Sequence, residues 1–418
     1  MPDPLAAPPL GQSPSVRPSS VVLPPNQHAS EPPAFVPPGW YILCRASKLK
    51  QAPLRLPFAG VALVAFRSGD GSIGVLEDRC AHRAAPLSGG KVCGQHVQCP
   101  YHGWEYDRHG RVAQVPALAQ CPEKWQGIRV GAWQACEQQG FIWIRHETTT
   151  GSAPGIKPRP PQFAHFKNAD PAPGSGTHDP SAHDSAPDGV PPNGAPPAIH
   201  SSGWSHFVMQ TRFQATVEAC LENFLDCPHA TFVHRYWFRA PTQKRVKAVV
   251  RTREDGAEAE FFEEPREKSL VWWLLAPKKG SMRHIDRFIA PNTSRVDYEF
   301  PSGLHYIITS SCTPLSPTET MVYTVMSFRY KWLGALVRLF FEPISRWIIR
   351  QDARMLASQQ RNLDALAEQH RSCAAPASLF CSTEADLLGG HIVRWRKAML
   401  RGEAPPQAGQ QREVEIML

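Results

Sequence analysis

Between Cys80 and Trp104 the chain crowds three cysteines and three histidines into 25 residues. Such a cluster constrains the fold strongly, because the ligands of one centre must meet in space whatever the surrounding chain does. The spacing is mixed. Cys80 and His82 are two apart, Cys99 and His102 are three apart, and 16 residues separate the pairs. Each pair joins a thiolate to an imidazole. Zinc fingers usually pair cysteine with cysteine and histidine with histidine. A two-iron cluster with mixed ligands needs the other arrangement: one iron takes both thiolates, the other both imidazoles, and two loops grip it from opposite sides. Gly89, Gly90, Pro100 and Gly103 flank the candidates and let backbone N–H groups approach the cluster sulfides. A zinc site remains the alternative on spacing alone.

The pattern Cys-x-His-x16-Cys-x2-His, ending in "CPYHGW", resembles the Rieske [2Fe–2S] motif. The resemblance extends over residues 39–149 and implies that Cys80, His82, Cys99 and His102 are the cluster ligands. Cys93 and His96 become a loop thiol and a surface histidine. Two neutral imidazoles in place of thiolates raise the potential of such a cluster, which suits a one-electron relay.

A relay needs a destination, and "VEACLENFLDCPHATFVH", Val217 to His234, offers one. Glu222, Asp226 and His229 fall at helical spacing, while His234 lies off that face, so the helix must end or bend near Pro228. Two histidines and one carboxylate with open positions form the facial triad of non-haem Fe(II) oxygenases. The carboxylate is either Glu222 or Asp352. Glu222 is two turns, about 10 Å, from His229 along a helix, which disfavours it. The run Asn223, Asp226, His229, His234 resembles the iron-binding segment of the Rieske non-haem iron oxygenases, terminal oxygenase component. That resemblance places the third ligand on a late helix, at Asp352 in "WIIRQDARMLASQQ". It also implies that Asp226 bridges the two centres, accepting hydrogen bonds from His229 of its own chain and from His102 of a neighbouring subunit. A homotrimer follows from that bridge. Asn223 and Asp226 are the residues expected to serve catalysis without holding metal.

Proline marks the boundaries. Residues 1–38 hold 12 of the 42 prolines and residues 151–200 another 12. Both stretches are poor in large apolar side chains and are expected to be disordered. The expected organisation is a Pro-rich N-terminus (1–38), a Rieske domain (39–149), a Pro-rich insert (150–202), a catalytic non-haem iron domain (203–400) and a flexible tail (401–418). In the first domain "GVALVAFRS", "SIGVLED" and "GFIWIRHE" read as short strands. In the second, a helical stretch at 215–227 precedes strands at 246–253, 257–263, 269–275, 284–290, 295–300, 304–312 and 320–329, then a long helix from Glu342 to Gln369. Seven consecutive strands predict one antiparallel sheet. The fold class is α+β: an all-β Rieske domain, then by resemblance a helix-grip-like domain with an antiparallel sheet and a long C-terminal helix.

No apolar run reaches the roughly 18–20 residues of a membrane span, and no secretory signal pattern opens the chain. Eleven cysteines without scaffold spacing point to a reducing compartment, hence a cytoplasmic location. The net charge of +8 comes without a long basic run; "RVKAVVRTR" alternates and reads as a strand with a solvated face, so nucleic acid is not expected.

The resemblance implies an O2-dependent oxygenase that hydroxylates or oxidatively demethylates an apolar, aromatic or polycyclic substrate. Ring cis-dihydroxylation is the alternative chemistry, and an electron carrier without oxygenase activity the alternative class. No dinucleotide or P-loop motif is present, so electrons must come from a separate NAD(P)H-dependent reductase, directly or through a ferredoxin. Arg83, beside His82, is a candidate docking residue. Phe224, Phe232, Trp237, Trp272, Trp273 and Tyr306 are candidate pocket residues.

Overall fold

The structure is a computed structural model that describes residues 33–119, 125, 127–146, 159–163, 204–234, 245–264, 282–300, 303–329, 334–370 and 379–417. The Pro-rich N-terminus up to residue 32, most of the Pro-rich insert, the strand expected at 269–275 and Trp237, Trp272 and Trp273 lie outside the described residues.

The N-terminal unit is built of strands Tyr41–Arg45 (β1), Leu54–Phe58 (β2), Val61–Arg67 (β3), Ile73–Glu77 (β4), Lys91–Cys93 (β5), His96–Gln98 (β6), Glu105–Tyr106 (β7), Val112–Gln114 (β8), Ala132–Gln138 (β9) and Phe141–His146 (β10). They form a six-stranded sheet, β1-β10-β9-β4-β3-β2, and a four-stranded sheet, β5-β6-β7-β8. Strand β3 shows why its sequence is almost continuously apolar. Leu63 and Ala65 point into one buried cluster, Val64 and Phe66 into another that includes Trp104, Tyr106 and Val130. A strand with period-two side chains and both faces covered must be apolar at every position.

The second unit contains Trp204–Phe213 (β11), Arg245–Arg253 (β12), Gly256–Glu264 (β13), Met282–Ile289 (β14), Thr293–Glu299 (β15), His305–Ser316 (β16), Glu319–Arg329 (β17) and Gln411–Met417 (β18). All are antiparallel, in the order β11-β17-β16-β15-β14-β13-β12-β18. The α+β class and the single antiparallel sheet match expectation. The flexible tail does not: Gln411–Met417 pairs along β12 from Arg245 to Arg251 and buries Val414 and Ile416. Five of its seven residues are charged, polar or exposed, and its partner is far away in sequence, so local pattern carries little of that strand. β11 was likewise not expected. β12 behaves as its alternation predicts. Val246, Ala248 and Val250 are buried, while Arg251 lies 2.7 Å from Glu260 and Arg253 lies 3.2 Å from Glu258 on β13. Its basic residues are thus answered by acidic ones across the ladder.

Among the described residues four helices complete the unit: Val217–Leu225 (α1), His229–Val233 (α2), Gly334–His370 (α3) and Gly389–Arg401 (α4). Thr216 caps α1 by accepting the Ala219 N–H. Val217, Cys220, Leu221 and Leu225 form its buried stripe. α3 has 37 residues and buries Phe341, Ile348, Ile349, Asp352 and Leu356 along one face.

Strand β17 divides its side chains between two neighbours. Val322, Met326 and Phe328 join the core that includes Phe341 of α3, and Tyr323 and Val325 pack with Trp40, Ile42 and Trp143 of the N-terminal unit. Hydrogen bonds fix the junction: Thr313 Oγ1 donates to the Ile42 carbonyl (2.7 Å) and Tyr323 Oη to that of Leu43 (2.9 Å). The sheet is therefore a shared wall, with the N-terminal unit on one face and the helices on the other.

Candidate metal centres and active site

Cys80 and Cys99 open two loops with the same backbone pattern. The Cys80 N–H donates to Ala85 O and its carbonyl accepts from Ala84 N; the Cys99 N–H donates to Trp104 O and its carbonyl accepts from Gly103 N. The fifth residue of each loop, Ala84 or Gly103, has positive φ, +55° and +73°. Glycine meets that demand without strain at 103. At Gly90 a Cβ would stand 1.8 Å from the Gln98 carbonyl oxygen, so only glycine lets the loop approach the β6 backbone.

The two loops bring the four predicted residues together. Both cysteines are buried, and both histidines are exposed with ring centroids 4.6 Å apart. His82 stacks on Trp104 at 5.0 Å and 7°. Tyr106 accepts the Ala81 N–H at 3.0 Å and places its hydroxyl 3.1 Å from Cys80 Sγ, so its own proton is directed at the sulfur. Two buried sulfurs beneath two exposed imidazoles is the donor set a Rieske cluster requires. His96 instead contacts Glu105 at 3.2 Å and Cys93 ends β5, so both lie on strands of the small sheet, beside the loops.

The second centre forms where α1 ends. Leu225 is the last helical residue, Asp226 is extended, and Pro228 is the N-cap residue just before α2. Asp226 and His229 are therefore not on one continuous helix face. His229 Nδ1 bonds the backbone carbonyl of Asp226, and the Asp226 carboxylate stands 4.0 Å away. The expected carboxylate contact to His229 is thus corrected: the break in the chain presents the carbonyl first. His234 Nδ1 is 2.8 Å from Gln351 Oε1 on α3. Each outer nitrogen is committed to an acceptor, so each Nε2 carries its lone pair inward. Asp352 Oδ1 lies 2.9 Å from His234 Nε2 and 3.5 Å from His229 Nε2. Bonds of about 2.1 Å meeting near 90° put ligand atoms roughly 3 Å apart, and the oxygen has no partner of proper hydrogen-bond geometry. The three atoms converge on one point, which fits a divalent iron. Burial pushes the Asp352 carboxyl up, but the hydrogen bonds and positive charge that His229 and His234 offer it when protonated outweigh this and hold it down at about 2, so it is an anion at any working pH.

Glu222 does not join this group: it lies beside Gly389 of α4. Gln351 was missed by sequence reasoning; its only signal is adjacency to Asp352. Asn223 lines the same cleft, and its buried Nδ2 has no hydrogen-bond partner. The cleft has the three convergent residues on one side and Phe224, Val296, Ile308 and Ile348 among its apolar walls. Of the other candidate pocket residues, Phe232 is 82% exposed and Tyr306 is buried behind the wall against Phe341 and Tyr298.

Comparison with known proteins gives two family matches. Residues 39–130 match the Rieske [2Fe–2S] domain, and residues 213–402 match the vanillate O-demethylase oxygenase C-terminal domain. Methylxanthine N1-demethylase NdmA of Pseudomonas putida is 38% identical over 116 residues, 26% of this chain and 32% of that protein. Aminopyrrolnitrin oxygenase PrnD of Pseudomonas fluorescens is 28% identical over 199 residues, 47% of this chain and 45% of that one. The alignments thus span a third to a half of these relatives' lengths. Among solved structures, NdmA of Pseudomonas putida CBB5 with caffeine superimposes with TM-score 0.61 at 19% identity, covering 90% of this chain and 97% of the other. Dicamba monooxygenase bound to dicamba gives 0.59 at 19%, covering 87% and 97%. At such identities the superpositions show the fold. Two domain matches in the order the sequence predicts, over loops and a cleft that carry the donor sets, settle the family: the chain belongs to the Rieske non-haem iron oxygenases.

Proposed function

We propose that this protein is the terminal oxygenase of a multicomponent system and that it hydroxylates or oxidatively demethylates a planar, mostly apolar ring compound. The observation that carries the reading is the convergence of His229, His234 and Asp352 on one side of an apolar cleft, in a chain that also carries a Rieske domain. Fe(II) held there would supply O2 activation, and the [2Fe–2S] cluster a stored electron. The protein's own part is positional. Asp226 O and Gln351 fix the imidazoles, and the walls hold a ring against the triad and exclude water. An electron carrier would need neither the triad nor the cleft.

Cys80, His82, Cys99 and His102 are proposed as the cluster ligands, with Asp226 and Asn223 as supporting groups at the iron. The Asp226 side chain keeps 39% of its surface exposed, and His102 and Tyr101 (65% exposed) stand at the outer edge of the cluster loops. Both groups are thus open to another molecule. That supports a homotrimer in which His102 of one subunit meets Asp226 of the next. Electrons would come from a separate NAD(P)H-dependent reductase, directly or through a ferredoxin, and exposed Arg83 is suited to docking it. No helix among the described residues is long and apolar enough to cross a membrane. The described cysteines form no disulfide, which supports the reducing conditions of a cytoplasmic location.

The test is NAD(P)H- and reductase-dependent O2 uptake on a panel of aromatic, methoxylated, N-methylated and steroid-like compounds, with product identification. Formaldehyde release or a single hydroxylation supports the proposal. A cis-diol moves it to dihydroxylation, and absence of O2 uptake with two irons per chain moves it to an electron carrier.

A further inference from the structure

The floor of the cleft carries polar side chains that the iron site leaves unused. On the helix-facing side of the sheet, Thr324 of β17 stands opposite Ser310 of β16, and Ser310 stands opposite Ser294 of β15. Each is 2% exposed, and all three line the cleft that holds His229, His234 and Asp352. Side chains on one face recur every second residue along a strand. The next row on this face is Met326, Ile308 and Val296, the kind of row a plain core would use throughout. Met209 and Phe288 flank the hydroxyl row at its two ends.

Three hydroxyls bring three O–H protons. One is shared between Ser310 Oγ and Thr324 Oγ1, 3.0 Å apart. Whichever hydroxyl accepts there keeps its own proton, and Ser294 Oγ has no hydrogen-bond partner among the described residues. Two donors thus end in an apolar cleft without a protein acceptor, each unfavourable unless something meets it. Charge narrows what that can be. No arginine or lysine is among the described lining residues, whereas Asp226, Asp286 and Asp352 are. Asp286 Oδ1 already faces His284 Nε2 at 2.9 Å, and His284 Nδ1 lies 4.0 Å from Cys227 Sγ, so these groups answer one another. A ring acid would bring a fourth carboxylate into this cleft with only the iron to pair it.

We propose that Ser294, Ser310 and Thr324 are specificity-determining residues that bind the carbonyl oxygen of an uncharged planar ring compound, such as a cyclic ketone or lactam. A carbonyl oxygen has two lone pairs and no proton, which matches two waiting donors. Held there, it fixes which edge of the ring turns toward the triad. The proposal rests on the reading that the cleft binds substrate, and it names the class of that substrate. A site whose donors are left unpaired rejects an analogue lacking the acceptor far more strongly than an apolar wall rejects an extra methyl group.

The test is equilibrium binding to the anaerobic holoenzyme by calorimetry. The probes are 1-indanone against indane and against indane-1-carboxylate, and 1-tetralone against tetralin. The wild type should bind each ketone at least about tenfold more tightly than its hydrocarbon, and 1-indanone at least about tenfold more tightly than the acid. Ser294→Ala should cut the preference for ketone over hydrocarbon by about fivefold, the worth of one neutral hydrogen bond, and Thr324→Val should lower it too. Ser311→Ala, one residue along β16 and so on the opposite face, should leave it unchanged. The ratio does not depend on the fraction of folded protein. Equal affinities for ketone and hydrocarbon, no binding of the ketones, an unchanged ratio in Ser294→Ala, or the same fall in Ser311→Ala would overturn the proposal. Binding of the acid as tight as that of 1-indanone would overturn the uncharged class. Failure of the oxygenase proposal reads differently: an intact binding preference without O2 uptake when reductase is added.

Discussion

The two metal-binding regions use the same side chain in opposite ways. At the cluster loops the sulfurs are buried and His82 and His102 face outward. In the cleft His234 and Asp352 are 3% and 6% exposed, and both imidazoles are locked from behind by Asp226 O and Gln351. A relay has to offer an edge across which an electron can leave. A site that activates oxygen has to exclude water and hold its ligands still. The difference teaches what each histidine is for before any activity is measured.

Breaking the cleft should have the largest effect. Asp352→Ala removes the only anionic member of the convergent set. Iron should fall from three to two per chain, with coupled O2 uptake lost and the cluster's visible spectrum retained. Retention of the third iron in that variant, with its loss in Glu222→Ala, would reverse the assignment. Asp226→Asn probes the connection between the regions: both metals should stay, while single-turnover reoxidation of the reduced cluster slows by roughly 10–100-fold, the usual cost of changing a group that supports a metal ligand. Unchanged single-turnover kinetics would remove Asp226 from the electron path. Gln351→Leu unlocks His234 from behind, and Fe(II) affinity should weaken by about 10-fold or more, measurable by chelator competition. Tyr106→Phe is the mildest. Losing one O–H donor to Cys80 Sγ, about 1 kcal/mol, should lower the cluster potential by roughly 40 mV. An unchanged midpoint in protein-film voltammetry would show that Tyr106 only supports the loop backbone through Ala81.

Legibility followed distance along the chain. The proposed cluster ligands sit in two loops 16 residues apart, so their spacing was readable directly. His229 and His234 were readable for the same reason, and Pro228 announced the break in the helix just before them. The helix boundary itself was read too late, because "VEACLENFLDC" keeps helical spacing up to the residue where the backbone turns extended. Gln351, Asp286 and His284 were not legible. Their partners lie 117 residues away for Gln351–His234 and 57 for His284–Cys227, and nothing local distinguishes "RQDA" or "HID" from ordinary surface sequence. β18 was missed for a related reason, since a strand with two buried residues needs its neighbour to be recognised.

The sequence by itself determined the domain order, the α+β class, the antiparallel sheet and the residues able to ligate metal. These follow from residue type, short spacing and side-chain period, which act locally. Tertiary structure decided which of those residues meet. It brought Asp352 rather than Glu222 to the histidines and gave His229 a backbone acceptor in place of a carboxylate. It also set a buried His284–Asp286 pair in the wall of the same cleft. Such choices depend on packing a long helix and eight strands around one cavity, and no local interaction encodes where that packing places a side chain.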